Sequence, residues 1–315
     1  MKALFRIATV CAALIPAAVA SAQQFSFHAY WEVERGRSHE AVVAGVSHGE
    51  YQAAFDTFSD EVEPFVVDGY DLEGQAFMNV IFRTPTGKPW IARHAQTSQQ
   101  YQTQFDEHVA DGDYCLRWVD SYLSNNRVRY AFILTQHRCQ AQVAYHGLTA
   151  SQHQARFNQL TADGWDPINI SVVSINEQRF YTAFYEQRSG SFASRSFLTR
   201  DQFGEFAQQQ TAAGRKLAYV NAYTHDQGRL PRFVAIYRSN LSSAEFLPNV
   251  DGRTAMEAGE EKVSQGYFTR VITGFGMPSD GGHDGHRFET VWYRPQRAGG
   301  TRPGGLVRPR LDNLR

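Results

Sequence analysis

The chain has 315 residues, of which 42% are hydrophobic and 13% aromatic, with 31 Lys and Arg against 32 Asp and Glu. That balance is a net charge of −1, and the body without signal and basic tail, near −7, argues against nucleic acid as the main partner. Beyond the first 22 residues no stretch reaches the roughly 18 consecutive apolar residues of a membrane span, so the mature chain is expected to be soluble.

Residues 1–22, MKALFRIATVCAALIPAAVASA, begin with Lys2 and Arg6, run apolar from Ile7 to Val19 and end on the small residues Ala20 and Ala22. This is the pattern of a secretory signal with an A-x-A cleavage site, too short for a transmembrane helix. Export follows, to the periplasm or the outside medium. Cys11 leaves with the signal, and Cys115 and Cys139 remain as an even pair, most simply a disulfide in an exported protein. Without the signal, 29 Lys and Arg face 32 Asp and Glu. The last 19 residues hold five Arg and one Asp, which leaves the folded body near −7.

Between signal and tail the chain repeats itself. EYQAAFD (50–56), QYQTQFD (100–106) and QHQARFN (152–158) share one pattern, and DQFGEFA (201–207) is a weaker fourth copy. Their aligned residues Tyr51, Tyr101, His153 and Phe203 are spaced 50, 52 and 50 apart. Apolar segments ending at Trp31, Phe82, Leu134, Tyr185, Tyr237 and Trp292 follow nearly the same period. The chain therefore reads as five units preceded by half of another.

Each unit reads helix, strand, strand. Ser47 with Glu50, Thr97 with Gln100, Thr149 with Gln152 and Thr199 with Gln202 have the spacing of a capping box at a helix start. Gly112, Gly164, Gly214 and Gly266 mark the helix ends. Two β-rich runs joined by a polar turn follow, as in KLAYVNAY and RFVAIYRS of the fourth unit. GVSHG at 45–49 also fits the G-x-S-x-G pattern of hydrolase nucleophiles. Ser47 belongs, however, to the row Ser47, Thr97, Thr149, Thr199, Asp251, all good N-caps, and a structural cap explains it.

The motifs HGLTASQHQARFNQLTADGWDP (146–167) and WIARHAQTSQQYQTQFDEHVADG (90–112) resemble the bacterial tandem repeat domain. The same repeats precede the catalytic domain of polyglycine hydrolases, secreted fungal enzymes that cleave polyglycine linkers in plant chitinases. The resemblance covers about residues 25–294. In those enzymes cleavage is attributed to an appended β-lactamase-like domain with a Ser-x-x-Lys nucleophile. Here the lysines are Lys2, Lys88, Lys216 and Lys262, and none completes that motif. The resemblance implies the accessory array without its catalytic module.

Strand alternation separates two faces. Rows such as Met78, Val80, Phe82 and Phe233, Ala235, Tyr237 form a core face covered by the helices. On the other face the second strands end in Glu32, Arg83, Thr135, Glu186, Arg238 and Tyr293. The first strands carry a polar row, Asp68, Asp120, Ser171, Asn221 and Thr273, two residues before Tyr70, Tyr122, Val173, Tyr223 and Phe275. Exposed on a concave face, these residues would line a trough for an extended peptide or glycan. The same rows also fit a solvated face with cross-strand charge pairs.

GGHDGH at 281–286 offers His283, Asp284 and His286 for a divalent ion, though the spacing matches no established zinc signature and suits a flexible turn equally well. His94 and His146 precede two helices and read as linker residues.

The expected protein is α+β: residues 23–295 as tandem helix-strand-strand repeats in one large curved antiparallel sheet, open or half-barrel-like, with the helices on one face. Residues 296–315, rich in Gly, Pro and Arg, read as a disordered basic tail. The leading functional expectation is an exported, non-catalytic binding or scaffolding protein with no cofactor. Its partner would be a glycan or peptide polymer, or a protein, outside the cytoplasm. The alternative is a secreted hydrolase of peptide or cell-wall material using Ser47 or the His283/His286 turn.

Overall fold

A computed structural model describes residues 29–35, 38–58, 62–110, 112–136, 141–225, 228–277 and 285–294. The expected signal, the basic tail, Cys139, His283 and Asp284 lie outside the described residues. The elements follow one plan five times. The first unit is β2 (Ser38–Ser47), α1 (His48–Phe58), β3 (Glu63–Leu72) and β4 (Gln75–Arg83), preceded by β1 (Ala29–Arg35). The second is β5 (Trp90–Gln96), α2 (Ser98–Phe105, continued by a π-helical turn Asp106–Ala110), β6 (Cys115–Ser124) and β7 (Arg127–Thr135). The third is β8 (Gln142–Thr149), α3 (Ala150–Ala162), β9 (Trp165–Ile175) and β10 (Gln178–Gln187). The fourth is β11 (Phe192–Leu198), α4 (Arg200–Ala212), β12 (Lys216–His225) and β13 (Leu230–Arg238), and the fifth β14 (Glu245–Val250), α5 (Gly252–Ser264), β15 (Phe268–Gly276) and β16 (His286–Tyr293).

Each unit forms its own antiparallel sheet. The strand order is β1-β2-β4-β3 in the first and β5-β7-β6, β8-β10-β9, β11-β13-β12 and β14-β16-β15 in the others. The inner strands β3, β6, β9, β12 and β15 pack against one another in that order, and β15 packs against β3 again. The five sheets thus stand around a closed ring like the blades of a propeller.

The tandem α+β architecture is present, but the strands do not merge into one curved sheet. Ladder hydrogen bonds stop at the edges of each blade. Each unit also has a strand ahead of its helix, in addition to the hairpin. These outer strands do not alternate cleanly, because each is interrupted by a two-residue bulge three and two residues before the helix cap. The second bulge residue has positive φ in every unit: Gly45 (73°), Ala95 (56°), Gly147 (67°), Phe197 (60°) and Asn249 (52°).

The helices wedge between neighbouring blades instead of covering one face of a common sheet. Phe55 of α1 lies 6.1 Å from Phe82 in its own blade and 5.4 Å from Trp90 in the next. Tyr101 of α2 spans Phe132 and His146 in the same way, and Phe203 of α4 spans Phe233 and Phe246. The repeated row Tyr51, Tyr101, His153 and Phe203 is buried and anchors each helix. Thr97, Thr149 and Thr199 each close a full capping box, and Asp251 accepts the Thr254 amide.

The outer strands end beside the start of the middle strands, as in Ser47 opposite Phe77 and Thr149 opposite Phe180. Helix N-termini and hairpin turns therefore gather at one end of the ring.

Candidate functional site

The polar row of the inner strands meets the blade before it. Gly69 N–H donates to Asp120 Oδ2 (2.8 Å), Ser121 N–H to Ser171 Oγ (2.9 Å) and Val172 N–H to Asn221 Oδ1 (3.1 Å). Ala222 N–H donates to Thr273 Oγ1 (3.2 Å), and Gly274 N–H closes the circle on Asp68 Oδ2 (2.9 Å). An inner strand has one edge without a ladder partner, and its buried N–H groups need acceptors. The five side chains supply them, and all five are buried. The row is thus inside the ring and does not line an open trough.

Two of the five acceptors are carboxyls. Asp68 also accepts from Asn79 Nδ2 at 2.7 Å, and Asn79 Oδ1 takes the bulge amide of Gly45 at 2.8 Å. Burial lifts Asp68 to a pKa of about 7 in spite of the bonds it accepts. Burial, and after it the charge of Asp68, raises Asp120 well above the usual carboxylate range.

The aromatic row is equally internal, with Tyr70, Tyr122 and Tyr223 at 4%, 1% and 6% exposure. The Tyr122 hydroxyl accepts the Ala95 amide at 2.9 Å and lies 3.1 Å from His48 Nε2. The Tyr70 hydroxyl lies 2.6 Å from His286 Nδ1. The Tyr223 hydroxyl is buried and makes no close hydrogen bond, with the Arg179 side chain beside it.

The charged row closes seams at the opposite end. Arg83 donates to Thr269 O (2.6 Å) and pairs with the buried Glu40 at 3.4 Å, and Glu40 accepts Thr269 N–H at 2.8 Å, joining the first blade to the fifth. Arg238 reaches back to Asp166 Oδ2 and Pro167 O, each at 2.7 Å. Glu186 pairs with Arg188 at 2.6 Å and accepts from Gln142, which bonds both backbone groups of Leu116 in the preceding blade.

Ser47 sits at the start of α1. Its hydroxyl donates to Glu50 Oε2 at 2.7 Å, and its amide donates to the same oxygen at 2.9 Å. The return bond from Glu50 N–H to Ser47 Oγ is 3.4 Å long. Beside it, the His48 and His94 rings meet edge-on at 5.3 Å, and a shallow cavity between α1 and β5 is lined by Tyr51, Phe55, Arg93 and His94. Burial, and then the neighbouring His48, lowers His94 to a pKa of about 4, so this pair is held neutral. His146 lies 2.8 Å from Ser98 Oγ of the preceding helix, a seam contact where the sequence reads as a linker.

His286 opens β16, buried against Tyr70 and Phe77. Among the described residues no group of three or more His, Cys, Asp or Glu comes together to hold a metal. Cys115 is buried at the start of β6.

One cluster has no counterpart in the sequence reading. The bulge residue Phe197 carries the Arg179 guanidinium 3.9 Å from its ring centre and that of Arg232 at 5.1 Å, with His225 edge-on at 5.1 Å. Arginines stand near the start of the middle strands as Arg129, Arg179, Arg232 and Arg287, a row visible in the sequence. The left-handed bulge that brings an aromatic ring to them is not.

The family described as polyglycine hydrolase-like, structural repeat, matches residues 87–137, 140–188 and 189–240. Residues 87–240 are thus similar to three tandem copies of that repeat. Each match contains one outer strand, helix and hairpin, so the repeats coincide with the second, third and fourth blades. The first and fifth blades share the same element order outside the matched residues. No curated protein matches the chain.

Proposed function

We propose that the protein is an exported, non-catalytic scaffold whose ring presents its turn-and-helix-start end to a polymer, peptide or glycan, or to a protein partner outside the cytoplasm. The observation that carries this reading is the use of the candidate chemical groups in holding the fold. Five inner-strand side chains join the blades through their neighbours' amides. The Ser47 hydroxyl is engaged by Glu50. The description of the matched repeats as structural supports the same reading. Export rests on the basic start and apolar run of residues 1–22, and a Cys115–Cys139 bond, seen as a mass shift on reduction, would agree with it.

The test is capture of residues 23–315 by cell-wall glycans and polyglycine peptides, with cleavage of the same materials assayed in parallel. Capture without cleavage is expected. Cleavage that disappears in Ser47→Ala at unchanged stability would replace this reading with a hydrolase.

A further inference from the structure

The seam between the third and fourth blades brings two arginines that meet no carboxylate among the described residues onto one aromatic ring. Four other arginines at seams are each met by a carboxylate: Arg83 by Glu40, Arg117 by Glu63, Arg200 by Glu289 and Arg238 by Asp166. Arg179 of the third blade and Arg232 of the fourth are half-buried, yet among the described residues neither forms an ion pair. Arg179 Nη1 donates to Tyr181 Oη at 3.2 Å and Arg232 Nη1 to the carbonyl of Pro231 at 2.9 Å, both neutral acceptors.

The Arg179 and Arg232 guanidinium groups both lie over the Phe197 ring. Its φ of 60° is a conformation that bulky residues rarely adopt, and the fold retains it where Gly45 and Gly147 serve in other units. The Tyr223 hydroxyl belongs to the same seam and makes no close hydrogen bond, with the Arg179 side chain beside it, whereas the equivalent hydroxyls of Tyr70 and Tyr122 each meet a histidine. Burial pushes the Tyr223 phenol far above its ordinary pKa, against the opposing pull of the Arg179 and Arg232 charges, so it remains an O–H donor at neutral pH. Two guanidinium groups that meet no carboxylate among the described residues, beside a buried phenol that makes no close hydrogen bond, form a donor set without an anionic acceptor.

We propose that this seam binds an oxyanion, a carboxylate or phosphate group carried by the partner, between Arg179 and Arg232 with Tyr223 as a third donor. The site deepens the scaffold reading, because it names one point at which the partner is held. It also takes small anions, so it can be tested without the polymer.

Residues 23–315 are titrated with inorganic phosphate and with acetate, followed by calorimetry and by the ring resonances of Phe197 and Tyr223. Saturable binding of at least one anion is expected. Arg232→Gln and Arg179→Gln should each weaken it about tenfold, the share of one charge-assisted hydrogen bond. Tyr223→Phe keeps the packing and should weaken it by a smaller factor. A phosphate preference identifies a phosphorylated partner, and an acetate preference one bearing carboxylates. Non-saturable effects, or binding unchanged in all three variants with native circular dichroism, would overturn the site. If polymer capture survives in the Arg179→Gln/Arg232→Gln double variant, the site falls while the scaffold reading stands. Anion binding with no polymer or protein captured by the wild type would leave the site standing and remove that reading.

Discussion

The seams between the first and second blades and between the fifth and first are each built from a glycine, a tyrosine and an aspartate: Gly69 with Tyr122 and Asp120, Gly274 with Tyr70 and Asp68. The other three make the same amide-to-side-chain bond with Ser121 and Ser171, Val172 and Asn221, Ala222 and Thr273. The fold therefore requires an acceptor at this position and does not require a charge. The aspartate seams also need a flat backbone under the tyrosine ring, since a Cβ at Gly69 or Gly274 would stand 2.4 or 2.3 Å from a ring carbon. Where Val172 fills that place, the tyrosine hydroxyl of the seam makes no close hydrogen bond and meets no histidine.

The strongest way to break this contrast is Gly274→Val, which forces a side chain into the Tyr70 ring. A loss of about 3 kcal/mol in urea unfolding is expected, with little change for Ala222→Gly at the equivalent place beyond its backbone entropy. Asp120→Ala leaves the Gly69 amide buried without an acceptor and should cost about 2 kcal/mol, and Ser171→Ala about 1 kcal/mol.

Acidity separates the seams next. Asp68 in the folded protein holds its proton up to a pKa of about 7, against 3.8 unperturbed, and Asp120 is raised as well. The folded state therefore binds more protons than the unfolded one across that interval. The contribution of Asp68 to stability is complete below pH 4 and is lost as the pH rises through about 7, and that of Asp120 falls in the same direction. His94 and His153, lowered to about 4, act in the opposite sense below their unperturbed values. The check is consequently the difference between wild type and Asp68→Asn/Asp120→Asn. The decline in melting temperature from pH 4 to 7 should be shallower in the variant, and equal slopes would refute the assignment. The smallest effect is expected at the rim, where Ser47→Ala removes a helix cap and should cost about 1 kcal/mol, as Thr149→Ala should in the third blade.

The periodicity of Tyr51, Tyr101, His153 and Phe203 and the capping hydroxyls could be read directly, because they repeat in residue type and act within a few residues of themselves. The outer strands could not. WIARHAQ and FASRSFL are half-buried on both faces and interrupted by a bulge, so no alternation marks them. The polar row was visible as a row, but a buried acceptor and a solvent-facing side chain leave the same trace in a sequence. The Arg179, Phe197 and Arg232 cluster joins residues from two blades, and its aromatic member is aimed by a backbone conformation that residue identity does not disclose.

The sequence by itself determined the repeat, its helix starts and its hairpins, because capping, turn chemistry and strand patterning are local interactions. The tertiary structure alone decided that the units close into a ring. Closure places each inner strand's unpaired amides beside the next unit's side chains, roughly 50 residues away in the sequence. It thereby turned a row that could have bound a ligand into the bonds that hold the blades together.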